Sequence, residues 1–430
     1  VKRRTFLYGS GIAAATAIGA TVLWKPRDRG APHDDYFSAL NTLLRRDGPG
    51  RPVMILDLDR INRNIDVLAA SVGPDKTYRV VVKSLPSVPL LAHVMQRANT
   101  NALMVFHQPF LNAIANAFPN CDALLGKPMP VAAAREFYRS LRAGTRTAGR
   151  TTTFDPARQV QWLIDSRERL DQYQALAREL GTTMRLNVEL DVGLHRGGIE
   201  VPEAIDGMLA TIANDPDHLS LSGLMGYEPH LTGLAAGLDH PAVRSVLGVY
   251  QGFIERIRQA GIDPATLTLN GAGSHTLRIY ESDHTMNDLA AGSGVVKPTD
   301  FDTYHLSDNE PAMFIATPVL KRYDDLRIPG DPWIANVLKW WNPNQRRLYF
   351  VYGGHWKARY VSPAGIPEPL YRTTNQEPIT TSPSVELAVD DYVFLRPTQS
   401  ERVMLQFGDL LTMKGGELVD RWPVFHETGS

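Results

Sequence analysis

From Arg51 to about Val296 short apolar runs alternate with helical patterns, and this alternation constrains the fold more than any other feature of the chain. Runs that read as strands lie at 53–56, 78–83, 102–106, 123–125, 161–164, 184–192, 219–227, 266–270 and 294–296. Helical periodicity falls between them, at 61–72, 89–98, 167–180, 201–213 and 243–259. So many βα units favour a closed (β/α)8 TIM-type barrel over an open sheet. After about Phe301 the helical pattern fades, and the runs at 312–320, 347–352, 392–395 and 402–407 read as antiparallel strands separated by Gly, Pro and Asp turns. A chain of 430 residues is too long for one compact core. The expected fold class is therefore α/β: a barrel over 51–300, then a C-terminal, mostly antiparallel β domain over 301–430. The Gly, Thr and Arg-rich stretch 142–155 reads as an exposed insertion.

Composition excludes some functions. Lys and Arg number 45 against 46 Asp and Glu, so no basic excess points to nucleic acid. A single cysteine, Cys121, permits neither an intramolecular disulfide nor a cysteine-based zinc cluster. At the N-terminus, Lys2-Arg3-Arg4-Thr5-Phe6-Leu7-Tyr8 precedes a mild apolar run over 11–24. Paired arginines, an aromatic, a leucine and a Gly/Ala-rich segment read as a twin-arginine export signal, with a short membrane anchor as the alternative. The run is short for a full span, and no clean small-x-small cleavage site precedes Lys25. The expectation is a signal or anchor over 1–30 and a linker with one short helix over 31–50. The protein would then be periplasmic or tethered to the inner membrane, touching the bilayer only through that segment.

Chemistry concentrates where the barrel strands end. The run Tyr78-Arg79-Val80-Val81-Val82-Lys83 closes on a lone lysine. Burial there would lower its pKa and leave a nucleophilic amine, able to form a Schiff base with pyridoxal 5'-phosphate (PLP); a strand-end lysine reaching solvent is the other reading. In 184–192, Leu186, Val188, Leu190 and Val192 alternate with Asn187, Glu189 and Asp191. One set would face the helices and the other the lumen, a polar departure from the usual packed interior. The strand runs into Gly193-Leu194-His195-Arg196, where Arg196 could hold a phenolate or carboxylate. Another strand ends in Gly226-Tyr227-Glu228-Pro229-His230, a cluster able to do acid–base work. The turns Asn270-Gly271-Ala272-Gly273-Ser274-His275-Thr276 and Ala291-Gly292-Ser293-Gly294 offer amides and hydroxyls to a phosphate.

In that order and spacing, Lys83, Asp191 to Gly198, Gly226 to Leu231 and the two glycine turns resemble the D-threonine aldolase and D-serine dehydratase group, relatives of alanine racemase. The resemblance covers ordered pieces from about Arg51 to Trp422. It implies that Lys83 is the Schiff-base lysine, that Arg196 contacts the PLP ring oxygen, and that Tyr227 stands beside the cofactor. Gly273, Ser274, Gly292, Ser293 and Gly294 would cradle the phosphate, with His275 in the same turn. It also implies a homodimer. The group's divalent metal is held by a histidine and, two positions on, an acidic residue or cysteine. Here the matching stretch, Leu395 to Arg402, has neither histidine nor cysteine, and Thr398 and Ser400 are poor ligands, so the metal is expected to be absent. His355 is a possible substitute or an ordinary loop histidine. The implied activity is a PLP-dependent lyase on a D-amino acid, a 3-hydroxy one, with Lys83, Tyr227 or His230 moving the proton. An amino-acid racemase and a PLP-binding protein without turnover remain the alternatives.

Overall fold

The computed structural model describes residues 25–147, 153–235, 237–330 and 332–426; the expected export signal lies outside them up to residue 24. The described chain forms two compact units. One comprises Met54–Met313 with Pro397–Gly415 and the chain from Val419 on; the other comprises Phe314–Arg396, Gly416–Leu418 and the chain up to Val53.

In the first unit, β1 (Val53–Asp57) pairs in parallel with the late strand Leu410–Lys414 and stays outside the barrel. Its apolar run is buried throughout, just as a barrel strand's would be, so periodicity cannot say which sheet it joins. The closed barrel consists of β2 (Thr77–Val81), β3 (Ala102–Val105), β4 (Asp122–Leu125), β5 (Val160–Ile164), β6 (Met184–Glu189), β7 (Leu219–Met225), β8 (Thr268–Gly271) and β9 (Asp288–Ala291). Parallel pairing of β9 with β2, from Thr77 opposite Asp288 to Val80 opposite Ala291, closes it. The expected strand at 294–296 is instead a 3-10 turn, Ser293–Val295. The strand that completes the barrel, Asp-Leu-Ala-Ala, has no β-branched residue to announce it. Helix Val131–Thr147 covers the first part of the expected insertion, and residues 148–152 lie outside the described ones.

The lumen is polar, and one arginine organises it. Arg79 on β2 is 2% exposed. Its Nε and Nη2 donate to the Asp288 carboxylate of β9 at 2.9 and 2.7 Å, and its Nη1 donates to the Leu103 carbonyl at 3.0 Å and lies 2.8 Å from Asp122 Oδ1. Gln161 Nε2 donates to Asp122 Oδ1 and Thr268 Oγ1, Asn187 Nδ2 to Gln161 Oε1, and Asn270 Nδ2 to Asp288 Oδ1. On β7 the matching position is Gly223, where a Cβ would fall 1.9 Å from the Thr268 carbonyl and 2.8 Å from Asn187 Nδ2. The network leaves that strand no room for a side chain.

In the second unit, β10 (Met313–Tyr323) pairs antiparallel with β11 (Arg347–Tyr352) and with the strand Tyr392–Pro397, and β11 pairs antiparallel with Gln376–Thr381. The chain over 31–50 is more than a linker. Helix Asp35–Asp47 buries Leu40, Leu43 and Leu44, and its Asn41 and Arg45 donate to Asp391. The strand expected at 402–407 is helix Glu401–Met404 followed by a 3-10 turn, Leu405–Phe407, in the first unit. Val403, Met404 and Phe407 are buried, which is helical spacing read as a strand.

Removing one side of a buried ion pair strands the other charge. We expect Arg79→Met to lower the unfolding free energy by about 3–5 kcal/mol, measured by urea denaturation. A loss within the ordinary range of surface substitutions would show that the network is not needed to hold the barrel.

Candidate active site

A cavity of about 90 Å³ opens at the C-terminal mouth of the barrel, where barrel enzymes keep their sites. Its wall brings together Lys83, Arg196, Tyr227, Gly273, Ser274, His275, Gly292 and Ser293, eight residues singled out from sequence, all in the barrel unit. Gly294 stands just behind, its amide donating to Ser274 Oγ at 3.0 Å.

Lys83 lies past the strand itself. β2 ends at Val81, and Lys83 sits in the 3-10 turn Val82–Ser84. The desolvation expected of it is not found, because its side chain is 41% exposed. An ion pair takes its place: Nζ is 2.8 Å from Glu401 Oε1 and 4.7 Å from the centre of the Phe106 ring. Glu401 lies one position beyond Ser400 in sequence, a lone carboxylate in a polar stretch with no motif to mark it.

The two glycine turns face the cavity as one surface. Ser274 Oγ accepts from the amides of Gly292 and Gly294, at 3.1 and 3.0 Å. Ser293 Oγ donates to Ser84 Oγ at 3.0 Å and lies 3.0 Å from Ser400 Oγ. A Cβ on Gly292 would press on Val81 and Ser84 at 2.8 Å, and one on Gly273 would meet the Tyr227 ring at 2.8 Å. Backbone amides can approach a ligand closely only where no side chain intervenes. The room left at Gly273 and Gly292, with Ser274 and Ser293 on the same cavity wall, fits an anionic phosphate.

Tyr227 stands between these turns and Arg196, whose guanidinium is 5.2 Å from its ring centre. Burial and the neighbouring Glu228 raise the phenol's pKa against the pull of Arg196. Arg196 is carried by a loop that Asp191 braces, accepting from the Gly193 and His195 amides at 2.9 and 3.0 Å and pairing with His195 Nδ1 at 2.9 Å. Burial works to raise the Asp191 carboxyl, but these contacts outweigh it and hold the carboxyl below its ordinary value. Of the three residues expected to point into the lumen, Asn187 does so, Glu189 is buried with its pKa raised by desolvation, and Asp191 lies beyond the strand. His275 stacks on Phe301, ring centres 4.1 Å apart, and burial lowers its pKa.

His230 is not brought to the cavity. The turn Pro229–Leu231 leaves it exposed, beside Gly193. Glu228 points inward instead and is fully buried. Its Oε1 accepts from Thr276 Oγ1 at 2.6 Å, and Thr276 Oγ1 accepts from the Gly273 amide at 3.0 Å, so this carboxyl underpins the Gly273 turn. Desolvation pushes its pKa up to about 7, against the Thr276 hydroxyl. His355 is exposed, its amide donating to Glu377 at 3.0 Å. Around Thr398, Ser400 and Glu401 a single carboxylate stands among hydroxyls, and among the described residues no three His, Cys, Asp or Glu side chains gather that could hold a metal ion. These donors do not fit a divalent cation.

A parallel (β/α)8 barrel with a lysine after its first strand, facing glycine turns after its last two, defines the fold-type III class of PLP enzymes. Residues 56–297 match the family model described as alanine racemase, N-terminal domain, and the chain belongs to that PLP-dependent family. A curated relative, the 3-hydroxy-D-aspartate aldolase of Paracoccus denitrificans (strain Pd 1222), is 23% identical over 167 residues. That match spans 36% of this chain and 42% of the relative, less than half of its length. The solved D-threonine aldolase of Filomicrobium marinum superposes with a TM-score of 0.67 at 17% identity, over 87% of this chain and 97% of that one. The D-threo-3-hydroxyaspartate dehydratase of Delftia sp. HT23 gives 0.65 at 14% identity, over 87% and 97%. The alanine racemase of Bacillus anthracis gives 0.64 at 15% identity, again over 87% and 97%. These structures share the fold: a barrel joined to a mostly antiparallel sheet.

The buried Glu228 yields a pH signature. Folded protein keeps a proton that the unfolded chain loses near pH 4.5, so stability falls as pH rises from about 4.5 through about 7. Relative to Glu228→Gln, wild type should lose about 3 kcal/mol across that window. Denaturation midpoints at a series of pH values test this, and parallel curves for the two proteins would contradict it.

Proposed function

We propose that this chain is a PLP-dependent lyase acting on a D-amino acid with a 3-hydroxyl, in the manner named for the aldolase and dehydratase relatives. The observation that carries the reading is the pairing of Lys83 with Glu401 in a cavity that the two glycine turns, with Ser274 and Ser293, also line. Lys83 would hold the cofactor covalently through its amine. Gly273, Ser274, Gly292, Ser293 and Gly294 would take its phosphate, with His275 alongside, and Arg196 and Tyr227 would face its ring oxygen or the substrate carboxylate. When bound, the cofactor supplies an electron sink for a bond breaking at Cα.

The protein's own groups do the rest. Lys83 Nζ moves the proton at Cα, and Tyr227 Oη is the second proton carrier on the wall. In the resembling enzymes a metal activates the 3-hydroxyl. Here the donors do not fit one, and we assign that work to Glu401, whose carboxylate takes the hydroxyl proton in aldol cleavage or, protonated, delivers one in elimination. The ion pair also fixes the Lys83 chain, which is otherwise free to rotate in a partly exposed site. A homodimer is the assembly we propose.

Purified protein with PLP is incubated with D-threonine, D-serine, D-3-hydroxyaspartate and D-alanine. Glycine with an aldehyde marks an aldolase, and ammonia with a keto acid marks a dehydratase; either supports the proposal. Formation of the L-enantiomer alone, or PLP binding with no turnover, would overturn it in favour of a racemase or a binding protein. Glu401→Gln should lower kcat about 100-fold while leaving PLP affinity within a factor of about two. A variant with undiminished kcat removes Glu401 from the chemistry.

A further inference from the structure

Helix Pro332–Trp341 in the second unit turns its apolar side outward. Trp333 is 63% exposed, Val337 49% and Trp340 60%, with Ile334 beside them, and Ala335 is its one buried residue. Positions 333, 334, 337 and 340 fall on one face of a helix. A face carrying two exposed tryptophans on a ten-residue helix is not ordinary surface scatter, and it calls for a covering partner.

The path of the chain indicates which. Lys25 Nζ lies 5.0 Å from the centre of the Trp340 ring. Just beyond the helix, Asn344 Nδ2 donates to the Arg27 carbonyl at 2.8 Å, and Asn344 Oδ1 accepts from the Arg29 amide at 2.8 Å. Residues 25–29 are thus pinned along the C-terminal end of this helix, all within one unit. Lys25, the first described residue, therefore lies beside the exposed Trp340. What precedes it in sequence is the uncharged run 11–24, with Lys2, Arg3 and Arg4 ahead of it and Lys25, Arg27 and Arg29 behind. That run is fourteen residues long, fewer than the roughly 20 apolar residues that a span of the bilayer takes. A weak single anchor holds a protein to a bilayer only marginally, and stable attachment needs a second signal. Trp is favoured at the lipid–water boundary, and the lysine and arginines at the same edge suit anionic headgroups. The nearby acids are already engaged: Asp325 by Lys339, Asp324 by Arg322, and Asp28, the one acid within 25–29, by the Gly30 amide and the Ser384 hydroxyl.

We propose that the Trp333–Ile334–Val337–Trp340 face is a membrane-docking surface that beds into the interfacial layer of an anionic bilayer beside the point where the N-terminal segment enters it. The surface acts together with that segment and is independent of the chemistry in the barrel.

The test uses the full chain with Val337→Cys carrying an environment-sensitive fluorophore. Cys121 is buried, so the label reports position 337. Vesicles of phosphatidylcholine with phosphatidylglycerol should shift the emission to the blue, and brominated lipids should quench it. Trp333→Ser with Trp340→Ser should weaken vesicle partition about tenfold while the urea midpoint is unchanged. Vesicle binding with no change in emission would overturn the proposal, because the N-terminal segment would then act alone. So would a blue shift that needs no lipid and grows with protein concentration, which would mean that a second copy covers the face.

Discussion

A guanidinium shut away from water must be matched charge for charge, and Arg79 meets that condition at the seam of the barrel. Its carboxylate partner, Asp288, sits on the strand that closes against its own, and its second partner, Asp122, sits two strands the other way. Asn270 of β8 bonds the same Asp288. The strand that leads to Lys83 and the two strands that lead to the glycine turns therefore share one buried charge cluster. Isolated buried charges are costly, but a pair with its hydrogen bonds satisfied fixes register and orientation. That register sets the turn carrying Lys83 against the Gly292–Ser293 turn.

Above this floor the site is tuned by contact as well as burial. Lys83 is held by Glu401 and by the face of Phe106, and remains partly open to solvent. A fully buried acid, Glu228, lies under the Gly273 turn, with Thr276 relaying its hold to the Gly273 amide. Carboxylates thus do different work at each level: Asp288 and Asp122 hold strands in the lumen, Glu228 holds a turn, Asp191 braces the Arg196 loop, and Glu401 stands beside the amine.

The barrel was legible because its strands are apolar runs spaced by helical periodicity, and the glycine turns because small residues after strands are rare without a purpose. Boundaries and memberships were less so. β1 looks like any buried strand, and β9 is four small or plain residues, so the reading took one strand too many at the front and misplaced the last. Glu401 escaped notice because a lone glutamate in a polar stretch carries no pattern. Its importance lies in the fold bringing residue 401 against residue 83, far apart in sequence. His230 was favoured by adjacency to Tyr227, yet one 3-10 turn between them was enough to send the two side chains apart. Arg79, four residues from Lys83, reads as a blemish in a strand until its partners on three other strands are in place.

The central claim is that the amine of Lys83 carries the cofactor. Borohydride reduction of the PLP-loaded protein, followed by digestion and mass spectrometry, tests it most directly. The expected result is a phosphopyridoxyl group on the peptide containing Lys83, with a matching loss of the visible absorbance band. The same group found on another lysine, or a band that survives in Lys83→Ala, would contradict the account.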